Sequence, residues 1–585
     1  MTDEQDIDRA PWSLRAFLLL ALGTAIGLAI HLLTKGPELW QWTENPAKLG
    51  AAAFLASGGI VFAFSLERLR WTWAAAFAAF AGLVVGFVTY WNGQPDSWGA
   101  GEGWQMFSAL LAVAIAVPLF QAARDEGRWN RDYREIHGHA WTNIVLWFAA
   151  CAFVLLSFLL ILLLSELFGL IGIHVLRDLL NERWFGPVLV GGAFGAAVGV
   201  LRDRDRILRL LQRVVTSVLS ILAPVLALGL VLFVAALPFT SLKPLWEQTS
   251  ATTPLLLACI LGAVALLNAA MGSSPEEESR SHVIRLATAA LAAVLLPLAI
   301  VAAISTSKRI GQYGLTPDRL WAAVFVGIAL VTAAAYLWAL IRGRRDWAPR
   351  LRNANILLAA GICLLALVLA LPLVSFGAIS TRDQLARLES GRIAPDRFDW
   401  AALRFDFGPS GRRAVARLAE SSNPVIRDNA RAALLAPSRW EARRNVEQYA
   451  EAPRQMRVFP EGGPVPAELR QAVLGRPGHP GACSGKGECF LFWKPGDKSA
   501  VVVVDRCGAG PDYCAMVSSV LDLSSTGWVD RQDPDLRLAV PQDDESRRAE
   551  LARQRAAVAK GDVEIREVTR RQVFVGGKPE GPEFE

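Results

Sequence analysis

Residues 353–392 read NANILLAAGICLLALVLALPLVSFGAISTRDQLARLESGR, and the character of the chain changes in the middle of that stretch. Up to Ile379 it is almost wholly apolar; after it come Thr381, Arg382, Asp383 and Gln384. A helix needs about 20 apolar residues to cross a hydrocarbon core of roughly 30 Å at 1.5 Å per residue. The stretch therefore reads as a last membrane span leading into a water-facing domain. Working back from it, ten similar runs stand at 14–34, 48–66, 71–91, 104–123, 141–168, 186–201, 214–238, 252–272, 286–306 and 320–341, which with 353–379 makes eleven expected spans. The sixth is the shortest, and a half-crossing segment is its competing reading.

Composition agrees with this reading. Of 585 residues, 53% are hydrophobic and 19% charged, with a mean hydropathy of +0.32, which excludes an ordinary soluble enzyme and a disordered chain. Sixty basic residues against 54 acidic ones are too evenly balanced for a nucleic-acid binder. The expected fold class is mainly α: a polytopic transmembrane helical bundle over 1–379, an extracytoplasmic helical neck over 380–480, and a small α+β domain over 481–585.

Lys and Arg beside the spans favour the cytoplasmic side. With the N-terminus inside, 20 basic residues fall on inner segments, among them Arg124, Arg202, Arg204, Arg206, Arg344 and Arg352, against 8 on outer ones. Omitting the sixth span would put the RDRDR cluster at 202–206 outside and spoil the pattern. An odd number of crossings then sends the tail to the other side. Asp8 and Pro11 read as a helix cap and first turn, and no small-x-small cleavage site follows the first span, so a retained anchor is expected rather than a removable signal.

Four cysteines, Cys483 and Cys489 in CSGKGEC and Cys507 and Cys514 in CGAGPDYC, lie in the polar tail. An even set in Gly-rich loops reads as two disulfides in an oxidising compartment. Zinc pairs usually enclose two to four residues, whereas these enclose five and six, so a metal site is the weaker alternative and free thiols a third. Three pairings are open.

Little in the apolar half suggests chemistry. Of 24 acidic residues before position 380 only Glu166 falls inside an expected span, near its outer end, so no carboxylate relay of the kind that ion-coupled carriers use is visible. His31 and Asn268 read as snorkelling or hydrogen-bonded polar groups. Gly191, Gly195 and Gly199 form a small-residue stripe on the sixth span, echoed by Gly23/Gly27 and Gly82/Gly86, and point to close helix packing, within the chain or between copies. Pro224 and Pro297 sit at similar depths in two spans and raise the idea of helices broken around a cavity.

Two outer segments are candidate ligand or lipid-headgroup sites. GLIGIHVLRDLLNERWF (169–185) places His174 and Arg177 on an interfacial amphipathic helix. STSKRIGQYGLTPDRLW (305–321) places Lys308, Arg309, Tyr313 and Arg319 where basic residues are otherwise scarce, beside a helix start at Thr316–Pro317.

AWTNIVLWF (140–148), ELFGLIGI (166–173), 305–321 and above all PLVSFGAISTRDQLARLESGRIAPDRFDWAALRFDFGPSGRRAVARLA (372–419) resemble the bacterial membrane-protein family defined by domain of unknown function 4153, over roughly 14–420. The resemblance implies a polytopic envelope protein with an extracytoplasmic tail, and brings no reaction, substrate or catalytic residue.

In the tail, QLARL, GRRAVARLAE and NPVIRDNARAALL read as helices, the last capped by Asn423 with Pro424 at its first position. CFLFW and SAVVVVD around Pro-Gly-Asp read as a hairpin, DDESRRAELARQRAAVA as a charged helix, and DVEIREV and RQVFVGG as edge strands. GACSGKG lacks the spacing and the Ser or Thr of a phosphate loop, no GxSxG or HExxH string occurs, and His479 is the tail's only histidine. No catalytic residue, metal or cofactor is assigned. The expected role is a non-enzymatic inner-membrane protein, N-terminus cytoplasmic, anchoring a periplasmic binding or interaction domain. The alternative is a transporter or flippase for an envelope metabolite or lipid; a transferase built on Glu166, His174, Asp178 and Glu182 is a third reading. Expected partners are membrane lipids and an envelope protein or a second copy, with no nucleic acid.

Overall fold

The computed structural model describes residues 12, 14–35, 43–94, 98–126, 132–240, 252–443, 456–459, 464–475, 481–483, 488–507, 514–525, 527–531, 571–575 and 578–584, with a few helical residues between 549 and 560. Among the described residues, eleven helices are long and apolar enough to span a membrane. They are α1 (Leu14–Thr34), α2 (Pro46–Ser65), α3 (Trp71–Asn92), α4 (Ala100–Glu126), α5 (Tyr133–Gly169), α7 (Phe185–Arg202), α8 (Asp205–Thr240), α9 (Thr252–Met271), α10 (His282–Tyr313), α11 (Pro317–Gly343) and α12 (Trp347–Ala370). A short surface helix, α6 (Val175–Asn181), precedes α7. Starts follow local chemistry: Asn45 Oδ1 accepts from the Ala47 and Lys48 amides before α2, and Thr316 Oγ1 accepts from the Arg319 amide before α11. Asp8 and Pro11 lie outside the described residues.

Two expectations need correction. The apolar run 353–379 is not one helix: α12 ends at Ala370 and a new helix, α13 (Phe376–Glu389), starts five residues beyond its last turn. Pro372 explains the break, since it lacks an N–H and forces Leu371 into an extended backbone with ψ 152°. Pro224 and Pro297, by contrast, break nothing, because α8 and α10 run on through them. Membrane helices tolerate an interior proline where neighbouring groups re-satisfy the backbone carbonyl it frees.

The chain divides into two compact units, Met1–Asp383 and Gln384–Glu585. In the first, one apolar core is built by α8, α9, α10 and α11 with the start of α12, and is rich in small residues such as Ala263, Ala292, Ala299 and Ala333. A second core draws on α1 to α5, α7 and the start of α8. Its tightest seam joins α1 to α7. A Cβ added at Gly191 would stand 2.1 Å from the Gly23 carbonyl oxygen, and one at Gly195 would stand 2.0 Å from that of Leu19. Only glycine lets the backbones meet at that distance. Gly199 packs on Ala16 in the same way, and Gly82 and Gly86 of α3 lie against Phe54 and Gly50 of α2.

In the second unit the last turns of α13, from Gln384, with α14 (Trp400–Phe405), α15 (Gly408–Leu418) and α16 (Pro424–Leu435) enclose Leu385, Trp400, Leu403 and Val415. Asn423 caps α16 as expected, accepting from the Val425 and Ile426 amides. A five-stranded sheet follows in the order β1 (Arg457–Phe459), β2 (Cys489–Phe492), β3 (Ser499–Cys507), β4 (Cys514–Ser524), β5 (Gly527–Asp530). Its β1–β2 pair is parallel and the rest are antiparallel. The β2–β3 hairpin turns through Gly496 at φ 100°, a conformation that favours glycine. Alternate residues of β3, Ala500, Val502 and Val504, are buried with Leu469 and Val473 of α17 (Ala467–Leu474). A separate two-stranded sheet pairs β6 (Arg571–Val575) with β7 (Lys578–Phe584). RQVFV is thus a strand, whereas DVEIREV, His479 and most of the expected charged helix lie outside the described residues.

Candidate functional site

The polar groups of the bundle gather where the arginine-rich ends of its helices meet. A helix leaves its last carbonyls without partners inside the helix, and a buried end must find them elsewhere. At the end of α2 they come from other helices: Gln121 of α4 donates to the Phe64 carbonyl at 2.7 Å, Arg124 to that of Ser65, and Arg202 of α7 to those of Phe64 and Ala63. Cations there also suit the negative end of the helix dipole. Glu67, two residues on, binds Arg202, accepts from Arg15 at 3.2 Å and lies 3.7 Å from Arg124. Arg15 also reaches Asp203 at 3.5 Å, and Arg124 reaches Asp125. Arg15 and Arg124 are only 4% and 7% exposed. Both carboxylate oxygens of Glu67 therefore face arginines, and the cluster acts as a clamp, in which removing one member leaves buried charge less compensated.

The same device recurs at the end of α9. Arg352 of α12 donates to the Met271 carbonyl at 2.9 Å and to Glu278 at 2.7 Å. In the following loop burial raises the Glu277 carboxyl, but hydrogen bonds from the Ser273 hydroxyl and amide outweigh it and hold the group below the usual carboxylate range. Deeper in, four helices share one hydrogen-bonded knot. Asn268 Nδ2 donates to the Tyr336 hydroxyl at 2.9 Å, Tyr336 donates to Asn355 Oδ1 at 2.8 Å, and Asn355 Nδ2 donates to Asn268 Oδ1 at 2.6 Å, with Tyr133 joining at 3.2 Å. Every side chain of the knot has a partner, which is what fixes helix register in an apolar medium.

The residues singled out by sequence are dispersed. Arg319 donates to the Tyr313 and Gly314 carbonyls at 3.0 and 2.8 Å and lies over the Tyr313 ring at 5.3 Å, so it closes the end of α10 as other arginines close α2 and α9. Lys308 and Arg309 stand one to two turns earlier on α10. His174 stands just before α6 and Arg177 lies on it, a separate surface element with no buried residue. Gly191, Gly195 and Gly199 are in the α1–α7 seam. Cys483 and Cys489 form a disulfide, and Cys507 and Cys514 are directly opposed partners at the end of the β3–β4 ladder. Among the described residues no group of three His, Cys, Asp or Glu could hold a metal ion. Sequence reading missed the clamp because it counted Arg15, Arg124 and Arg202 only as flanking charge; the signal was Glu67, an acid among the arginines of the short SLERLR turn.

Among the described residues, cavities on the sides of the first unit include two of note. One, of about 550 Å³, lies beside the α1–α7 seam and reaches Trp147 and Cys151 of α5. The other, of about 880 Å³, runs between α11 and α12.

A family model described as a domain of unknown function (DUF4153) matches residues 8–418, which takes in the whole bundle and the second unit as far as the end of α15. Comparison with curated proteins and with solved structures finds no match.

Proposed function

We propose that the chain, which belongs to the DUF4153 family, is an inner-membrane anchor that holds its C-terminal unit in the periplasm as a binding or interaction domain of the cell envelope. The observation that carries this reading is the Cys483–Cys489 disulfide in the second unit, since such bonds persist in oxidising compartments. The arginine asymmetry and the odd number of apolar helices support the same orientation. Opposed positions 507 and 514 support a second disulfide there. An alkaline phosphatase fused after Glu585 is expected to be active and a fluorescent protein at the same place dark. The reverse pattern, or tail cysteines labelled only from the cytoplasm, ends the proposal. Peptide mapping without reductant should recover 483–489 and 507–514 as two separate loops.

Transport of a lipid or metabolite is the second reading. The prolines that raised the idea of broken helices do not support it, because α8 and α10 run on through Pro224 and Pro297. What supports it is the lateral cavity between α11 and α12.

A further inference from the structure

We infer that the trough between α11 and α12 is a binding site for an anionic phospholipid, with an acyl chain lying over Gly327 and Gly361 and the phosphate at Arg350. The trough is lined by Val331, Leu357, Leu365 and other apolar side chains along most of its length, and its charged lining residue is Arg350. The two helices run antiparallel, so Arg350 and Trp338 mark the same end. From Trp338 to Val324 the trough extends about 21 Å along α11, beyond the middle of a hydrocarbon core of roughly 30 Å. A tryptophan and an arginine at one end of an apolar channel of that length reproduce the layering of a lipid leaflet, with amphipathic ring and cation at headgroup level and hydrocarbon below.

The glycines carry the argument further. A Cβ added at Gly327 or Gly361 meets nothing within 4 Å, so neither is small to admit another helix of this unit. A glycine inside a helix weakens it by roughly 1 kcal/mol relative to alanine, and here no backbone approach offsets that cost. Their effect is to leave the trough deep. Charge separates the arginines of α12 in the same way: Arg352 is buried and bound to Met271 and Glu278, whereas Arg350 is exposed into the trough, with a long 3.4 Å bond to the Asp346 carbonyl. A phosphate would give that guanidinium a charge-assisted partner.

The test is native mass spectrometry of the full chain released from nanodiscs of equimolar phosphatidylglycerol and phosphatidylethanolamine. The wild type should retain one phospholipid, with phosphatidylglycerol favoured at least ten-fold. Gly327→Leu/Gly361→Leu should lose the retained lipid, and Arg350→Gln should keep a lipid but lose the preference for the anionic one. Equal retention by the leucine variant, an unchanged preference in Arg350→Gln, or a wild-type dimer that the leucine variant converts to monomer would overturn the assignment, the last by showing a second copy in the trough. Should the leucine variant fail to fold, a phosphatidylglycerol with a photoreactive acyl chain decides the matter on the wild type alone. Labelling is expected within 324–338 and 354–365, and labelling confined to other helices refutes the site.

Discussion

Two antiparallel helix pairs in the same unit carry glycines on facing surfaces and use them in opposite ways. Between α1 and α7 the glycines let backbone touch backbone, with carbonyl oxygens where side chains would stand. Between α11 and α12, Gly327 and Gly361 face open space. The ends differ too. The closed pair is bolted by Glu67, which binds Arg15 of α1 and Arg202 of α7 together, while the open pair is tied by the Tyr336–Asn355 hydrogen bond. Glycine spacing in a membrane helix thus announces shape, and only its partner says whether that shape is filled.

The contrast can be broken at graded points. Gly195→Leu should be the most damaging, because its side chain has no space beside the Leu19 carbonyl; a loss of more than about 3 kcal/mol, seen as aggregation on heating in detergent, is expected. Glu67→Gln should follow at about 3 kcal/mol, by taking the carboxylate from Arg202 and one of two from buried Arg15 and Arg124, and thermal unfolding of purified protein reads it. Asn355→Leu opens the knot behind the trough and should cost about 1–3 kcal/mol in the same assay, since Asn268 and Tyr336 lose partners in an apolar interior.

A smaller effect belongs to Glu277. Its carboxyl lies below the ordinary range in the folded chain, so its contribution is present above the unfolded value, near 4.3, and fades as pH falls through the depressed one. Glu277→Gln should flatten that acid limb by less than ~1 kcal/mol, given its partial exposure. Gly327→Leu should not lower the melting temperature, and should raise stability by at most about 1 kcal/mol. If Gly327→Leu proves as harmful as Gly195→Leu, the two faces are not different in kind.

Much of the bundle was legible in the residues, because the length of an apolar run and the bilayer thickness are the same constraint. The first expected span, 14–34, coincides with α1, and the short sixth run is a full helix of 18 residues. The end of the last span was misread because hydropathy does not register that Pro372 forbids the helix it sits in. In the tail, Asn423–Pro424 and Pro-Gly-Asp marked their helix and turn through strictly local chemistry, and Cys483 found Cys489 six positions away. The arginine clamps and the four-helix knot were not legible. They join residues such as Tyr133 and Asn355, whose proximity is decided by tertiary packing rather than by spacing.

The α1–α7 seam also has a consequence for biogenesis. Gly23 and Gly191 stand about 170 residues apart, so at 5–20 residues per second the ribosome delivers the matching surface roughly 10–30 s after the first helix has emerged. For that interval α1 sits in the bilayer with an uncovered groove, and Arg15 waits for both Glu67 and Asp203. The α1–α7 seam therefore closes only after the sixth of the long apolar helices has been made, and until then lipid must fill the groove that the glycines of α7 later occupy.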